Sequence, residues 1–176
     1  MIVAFDSDVL SLVLNPELEP PMDPATGKPV IRAAERLECL IAELEKSKAR
    51  IIIPAPALSE FLVIAGPSGP DYLAAIDKKA LFSVEPFDTI AAVEAAATTS
   101  SAIAKGDKKS GAAGKWQCVK TDRQIVAIAK TRGATRIYSN DGDMVNIAAG
   151  AIEVVSLWHL SLPPEEEPDL FDQEPA

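Results

Sequence analysis

The sequence holds one histidine, His159, in 176 residues, and that scarcity removes whole classes of chemistry. A nucleophile triad has no imidazole to serve a Ser or Cys except this one near the C-terminal end, where it reads as a packing or surface residue. Cysteine is nearly as scarce. Cys39 and Cys118 could form at most one bridge, and their spacing matches no metal motif, so both read as reduced thiols. No stretch approaches the roughly 18 uninterrupted apolar residues of a membrane span, and no basic segment leads into an apolar run at the start. The expectation is therefore a soluble, cytoplasmic protein with no membrane partner. With 48% hydrophobic residues it can build one buried core.

The formal net charge is -9, which at long range argues against a polyanionic partner. Its distribution reverses that argument. Glu165, Glu166, Glu167, Asp169, Asp172 and Glu174 crowd the C-terminal end with no compensating base. Between Lys105 and Arg123, by contrast, Lys105, Lys108, Lys109, Lys115, Lys120 and Arg123 outnumber Asp107 and Asp122. Nucleic acid is not excluded. The chain divides into one domain over 1–162 and an acidic, Pro-rich tail over 163–176, expected to be disordered. The tail reads as a solubilising appendage, or alternatively as a mimic that covers the basic loop.

Short apolar runs alternate with helical periods, the pattern of an α/β fold whose mostly parallel sheet is covered by helices. "IVAF" is a strand and "VLSLVL" a short helix, ended by the Pro-rich stretch from Asn15 to Pro29. Val30, Ala34, Leu37, Ile41 and Leu44 recur at three and four, so an amphipathic helix follows. "RIIIP" is a strand, Ala55 to Ala65 a helix apolar almost all round, and Asp71 to Ala80 another helix. "LFSVEPF" is a strand, and Thr89 to Ala104 a helix that Asp88 can cap. "KGDKKSGAAGK" reads as a mobile loop. "TDRQIVAIAKTRG" opens on a capping box, Thr121 with Gln124, and stops at Gly133. "TRIYS", "DMVNIAAG" and "AIEVVSL" complete the pattern as strand, helix and strand.

Ligands of open α/β sheets bind beyond the carboxyl ends of the strands, which draws attention to Asp6 after "IVAF" and to Asp141 after "RIYSN". Asp8 and Asp143 read equally well as helix caps. Glu60 emerges from its apolar helix beside Ala57, Val63 and Ile64, so a buried carboxylate needing a metal or a base is expected there. Asp122 falls in the first turn of its helix, where the dipole favours a negative charge whatever the function, yet Thr121 and Gln124 leave it free to point elsewhere. Four acids from four elements that converge repel one another unless cations bind. Oxygen ligands without His or Cys suit Mg2+ or Mn2+, ions that activate water and stabilise phosphoryl transition states.

"IVAFDSDVL", "IPAPALSEFL", "TDRQIVAIAKTRGATRIYSNDGDMVNIA" and "IEVVSL", in that order, resemble the PIN (PilT N-terminus) domain nucleases, which include VapC-like toxins. The resemblance implies a three-layer α/β/α sandwich and metal-dependent hydrolysis of RNA phosphodiesters. It carries Asp6, Glu60, Asp122 and Asp141 over as the catalytic metal ligands, with Asp143 as a fifth acid. It also implies a small antitoxin as a partner, and a homodimer is the expected assembly. The loops from Asn15 to Pro29 and from Lys105 to Lys115 look longer than in compact toxins.

Two other readings use the same residues. "FDSDVL" also resembles the first motif of haloacid dehalogenase-type phosphatases, with Asp6 as nucleophile and Asp8 as general acid/base. That scheme leaves Glu60 and Asp122 without a role, and "IIIP" ends in Pro54 where a hydroxyl is needed. A non-catalytic module that keeps the fold is the other alternative. Lys105, Lys108, Lys109, Lys115 and Arg123 are candidate RNA contacts, and Trp116 is either a stacking platform or an anchor that returns the loop to the core.

Overall fold

A computed structural model describes residues 1–162, and the acidic tail expected over 163–176 lies outside them. The first apolar run forms β1 (Ile2–Phe5), followed by α1 (Ser7–Leu14). The Pro-rich stretch contains a small hairpin, β2 (Met22–Asp23) with β3 (Lys28–Pro29), before α2 (Ala33–Lys46). Then come β4 (Arg50–Pro54), α3 (Ala55–Ala65), α4 (Gly69–Lys78), β5 (Phe82–Glu85) and α5 (Thr89–Ala104). The described chain finishes with α6 (Trp116–Thr131), β6 (Arg136–Tyr138), α7 (Gly142–Ala148), β7 (Glu153–Val155) and a 3-10 turn, Leu157–His159.

Five strands pair in the order β5-β4-β1-β6-β7, every neighbour parallel. The expected α/β/α sandwich is borne out, and the alternation of side chains along the strands explains its layers. Val3, Phe5, Ile51, Ile53 and Tyr138 point to one face, where α1, α2, α3 and α4 supply Leu10, Leu40, Phe61 and Ile76. Ala4, Ile52 and Ile137 point to the other, against Val119, Ile125 and Ala129 of α6 and Met144 of α7. Helix α5 lies outside that second layer, packing Ala91 and Ala95 on Ala127 and Ile128. With β1 in the centre of the sheet, its carboxyl end opens between the two helical layers.

Two expectations about helices change. Helix α6 starts at Trp116 with Lys115 as a cap that makes no side-chain bond, so the capping box at Thr121 does not exist. Thr121 is mid-helix and its hydroxyl donates to the Gln117 carbonyl at 3.3 Å. Helix α3 is not buried all round: Ala57 is 0% exposed, but Val63 is 81% and Ile64 67% exposed. By contrast Asp88 caps α5 as expected, accepting from the Ala91 N–H at 2.9 Å. The neighbouring Glu85, at the end of edge strand β5, accepts from Arg132 Nε at 2.6 Å and from Arg50, and Arg132 also reaches Asp88 at 2.8 Å.

Candidate active site

Strand β1 stops at Asp6 because the backbone there, still extended, turns into α1 with the Asp6 carboxylate accepting from the Ser7 N–H. The side chain is 5% exposed. Its other oxygen accepts from the buried Ser139 hydroxyl at 2.7 Å, and that hydroxyl in turn accepts the Asp141 N–H at 3.1 Å. One hydroxyl thus connects the carboxyl ends of the two adjacent strands β1 and β6. Asp141 itself caps α7, accepting from the Asp143 N–H at 2.8 Å, and is exposed. Ser139 was not singled out in the sequence. Its signal is a hydroxyl two residues before Asp141, just past the end of β6, from where a side chain reaches back to the end of the neighbouring strand.

Asp122 projects from the middle of α6, on the sheet-facing side, and is 9% exposed. No helix dipole offsets its charge there, since it stands well inside the helix. Burial, and then the charges of Asp141, Asp6 and Glu60, push its carboxyl up to about 7. Burial raises Asp6 as well, with Glu60 and Asp141 adding to the effect against the lowering bonds from Ser139 and Ser7. Glu60 is exposed rather than buried, a correction that follows from the open face of α3. Even so, its charge is felt at both Asp6 and Asp122, so the four acids share one end of the sheet.

Asp8, half-buried in the first turn of α1, accepts from the Asn140 N–H at 2.7 Å and holds the β6–α7 turn. Burial, then the charge of Asp6, pushes its carboxyl up to about 7. On the far side of that turn, Asn140 Oδ1 accepts from the Leu157 N–H at 2.9 Å and the Ser156 hydroxyl donates to the Ser139 carbonyl at 2.8 Å. The segment 139–141 is therefore fastened to α1 and to the end of β7.

Among the described residues, no three acidic, histidine or cysteine side chains stand close enough together to grip one ion. Their chemistry fits a divalent cation all the same. Neither Asp6, Glu60, Asp122 nor Asp141 forms an ion pair with a described Lys or Arg, and carboxylates that repel have no reason to draw together until a cation stands between them.

No family model matches the sequence, and no curated protein matches it by sequence. Solved structures match by shape. VapBC2 from Rickettsia felis, bound to a DNA fragment from its promoter, superposes with a TM-score of 0.59 at 13% identity, over 89% of this chain and 98% of that one. DNA-bound VapBC from Salmonella typhimurium gives 0.58 at 17% identity over 89% and 98%. VapC20 from Mycobacterium tuberculosis, a Sarcin-Ricin loop cleaving toxin, gives 0.53 at 16% over 84% and 95%. The chain has a PIN-like fold. At such low identities the likeness is one of fold.

In this PIN-like fold the Lys-rich segment before α6 is not the loose loop its composition suggests. Asp143 accepts from the Ala113 N–H at 2.9 Å and the Gly114 N–H at 2.7 Å, and these bonds, Ala113 first, hold its carboxyl below the usual range. A Cβ on Gly114 would stand 2.9 Å from that carboxylate, so a side chain there would have to displace it. Asp107 accepts from the Lys109 and Gly111 N–H groups, and Lys109 Nζ donates to the Gly114 carbonyl at 2.9 Å. Arg123 is 4% exposed and donates to the Lys108 carbonyl and the Ser110 hydroxyl. As a candidate RNA contact it is thus corrected: its place on α6 beneath the loop buries it. Lys105, Lys108 and Lys115 are exposed and Lys109 half-buried. Trp116 lies 5.2 Å from Lys108 Nζ and packs against the core, which favours the anchoring role.

Proposed function

We propose that this PIN domain is a VapC-like endoribonuclease that cuts RNA phosphodiesters with Mg2+ or Mn2+. The observation that supports it most is the group of four carboxylates at one end of the sheet, two of them buried, with no described basic side chain paired to any of them. Asp6, Glu60, Asp122 and Asp141 would hold the ion, with Asp143 contributing only if it released the loop. When bound, the ion supplies charge stabilisation and an activated water for phosphoryl chemistry. Ser139 orients Asp6, Asp8 holds the turn that carries Asp141, and the exposed Lys105, Lys108 and Lys115 attract the phosphate backbone.

By the same reading the protein is the toxin of a toxin-antitoxin pair acting in the cytoplasm, with a small antitoxin protein and a second copy of itself as partners. No described helix is long and apolar enough to cross a membrane. The phosphatase alternative is disfavoured because it has no use for the buried Asp122. The non-catalytic alternative is disfavoured because uncompensated buried carboxylates cost stability that a mere scaffold would have no reason to carry.

The test is cleavage of mixed RNAs with Mg2+ or Mn2+. We expect wild type to cut and Asp6→Asn to lose at least about a hundredfold. Turnover of phosphomonoesters with no RNA cleavage would sink the nuclease and restore the phosphatase.

A further inference from the structure

Away from the acidic site, α5, α6, α7 and the Lys-rich segment enclose a cavity of about 390 Å³. Its volume suits a small molecule rather than a polymer, and small apolar side chains form much of its wall, among them Ala102, Ala127, Ala148 and Ile147. The charged groups around it are not balanced. Lys130 is paired with Glu94 at 2.5 Å, and Asp107 commits both oxygens to backbone N–H groups. That leaves Lys105 and Arg123 in the wall, neither in an ion pair with any described carboxylate.

Arg123 is the more telling of the two. A buried guanidinium with no carboxylate bonded to it is costly, and the charge of Asp107, whose oxygens are already held by the loop backbone, offsets only part of that cost. Its Nη2 donates to the loop, but Nη1 is buried and has no acceptor among the described residues. Contact with the Trp116 ring, 5.8 Å from Cζ to the centroid, offsets only part of such a charge. An oxyanion in the cavity would bring a full countercharge to the guanidinium that lines its wall.

We infer that this cavity binds a small organic anion, a phosphate ester or carboxylate on an apolar or aromatic body, with Arg123 and Lys105 at its charged end. The apolar wall takes the body and selects against a bare anion. Because the same guanidinium ties down Lys108 and Ser110, an occupant would also brace the loop whose far end is held by Asp143.

Calorimetric titration of the full chain in EDTA tests this, since the acidic site without a cation repels anions. AMP probes a phosphate ester, benzoate a carboxylate, and inorganic phosphate the head group alone. At least one of the first two should bind with one site per chain, and phosphate at least about tenfold more weakly. Arg123→Gln should weaken binding at least about tenfold. Ser101→Trp, placed on the exposed rim of α5 where it disturbs no core contact, should abolish it. No binding of either organic anion overturns the inference. So does binding that survives Ser101→Trp, or inorganic phosphate binding as tightly as both, the result expected of surface lysines alone. An RNA oligonucleotide that binds in a Ser101→Trp-sensitive way while neither small anion does would equally overturn it.

Discussion

Two groups of carboxylates lie at different places in this molecule and meet opposite fates. Glu85 and Asp88, where edge strand β5 passes into α5, face Arg50 and Arg132. Burial alone would raise Glu85, but bonds from Arg132 and Ser83 and the arginine charges outweigh it and hold the carboxyl low. Asp88 is lowered by the Ala91 N–H and then by Arg132. Asp6, Asp8 and Asp122 receive no such partners among the described residues, and all three are raised, burial first. The fold evidently can neutralise a carboxylate where it joins two elements, and leaves bare the ones that gather at the mouth between β1 and β6. Matched charge serves the scaffold, and unmatched charge is what a cation would need to find.

If that contrast holds, neutralising one member of each group should move stability in opposite directions. Glu85→Gln should cost about 2 kcal/mol, less than a fully buried pair because Arg50 and Arg132 are partly solvated. It should leave RNA cleavage within a few fold. Asp122→Asn should instead raise the stability of the metal-free protein by about 1–2 kcal/mol, since it removes a buried charge that repels its neighbours, while abolishing cleavage. Urea unfolding in EDTA and RNA cleavage in Mg2+, run on both variants, check this. A destabilised Asp122→Asn would mean that its carboxylate is structural after all.

The two groups should also respond to pH with opposite sign. Asp122 is near 3.8 when unfolded and raised to about 7 when folded, so the folded state binds the extra proton. Its contribution is fully present below about pH 4 and is lost as pH rises through 7. Asp8 and Asp6 act in the same sense, whereas the lowered Glu85 and Asp88 lose their contribution as pH falls. In EDTA the melting temperature of Asp122→Asn minus that of wild type should therefore widen by a few degrees from pH 5 to pH 8. Saturating Mg2+ should narrow it. A gap independent of pH would break the contrast.

Much of this was legible in the sequence, and what was not has physical causes. The uninterrupted apolar runs "IVAF" and "RIIIP" give strands buried on both faces, and Asp6 and Asp141 follow from the rule that sites open beyond strand ends. The start of α6 escaped because no side chain caps it. The turn before it is held by Asp143, about thirty residues further along the chain, and a local capping signal at Thr121 carried no weight against that contact. Glu60 was expected in a buried setting because α3 is apolar, yet a fold has more apolar residues than interior to hold them. Arg123 belonged to a run of basic residues by composition but to the inward stripe of α6 by position, one turn before Val126 and Ala127.

Asp8 gives the smallest and most discriminating effect, because it is unpaired like Asp6 yet holds backbone rather than facing the open mouth. Its carboxylate accepts from the Asn140 N–H and the Val9 N–H, and an asparagine keeps one acceptor oxygen for the first of these. Asp8→Asn should therefore lower RNA cleavage by less than about tenfold, far less than Asp6→Asn. Asp8→Leu, which frees the Asn140 N–H and lets the turn carrying Asp141 move, should cost more, and added Mn2+ should recover part of it if the defect lies in how that turn presents its acid. An Asp8→Asn variant as inactive as Asp6→Asn would make Asp8 a direct participant, as the phosphatase scheme requires.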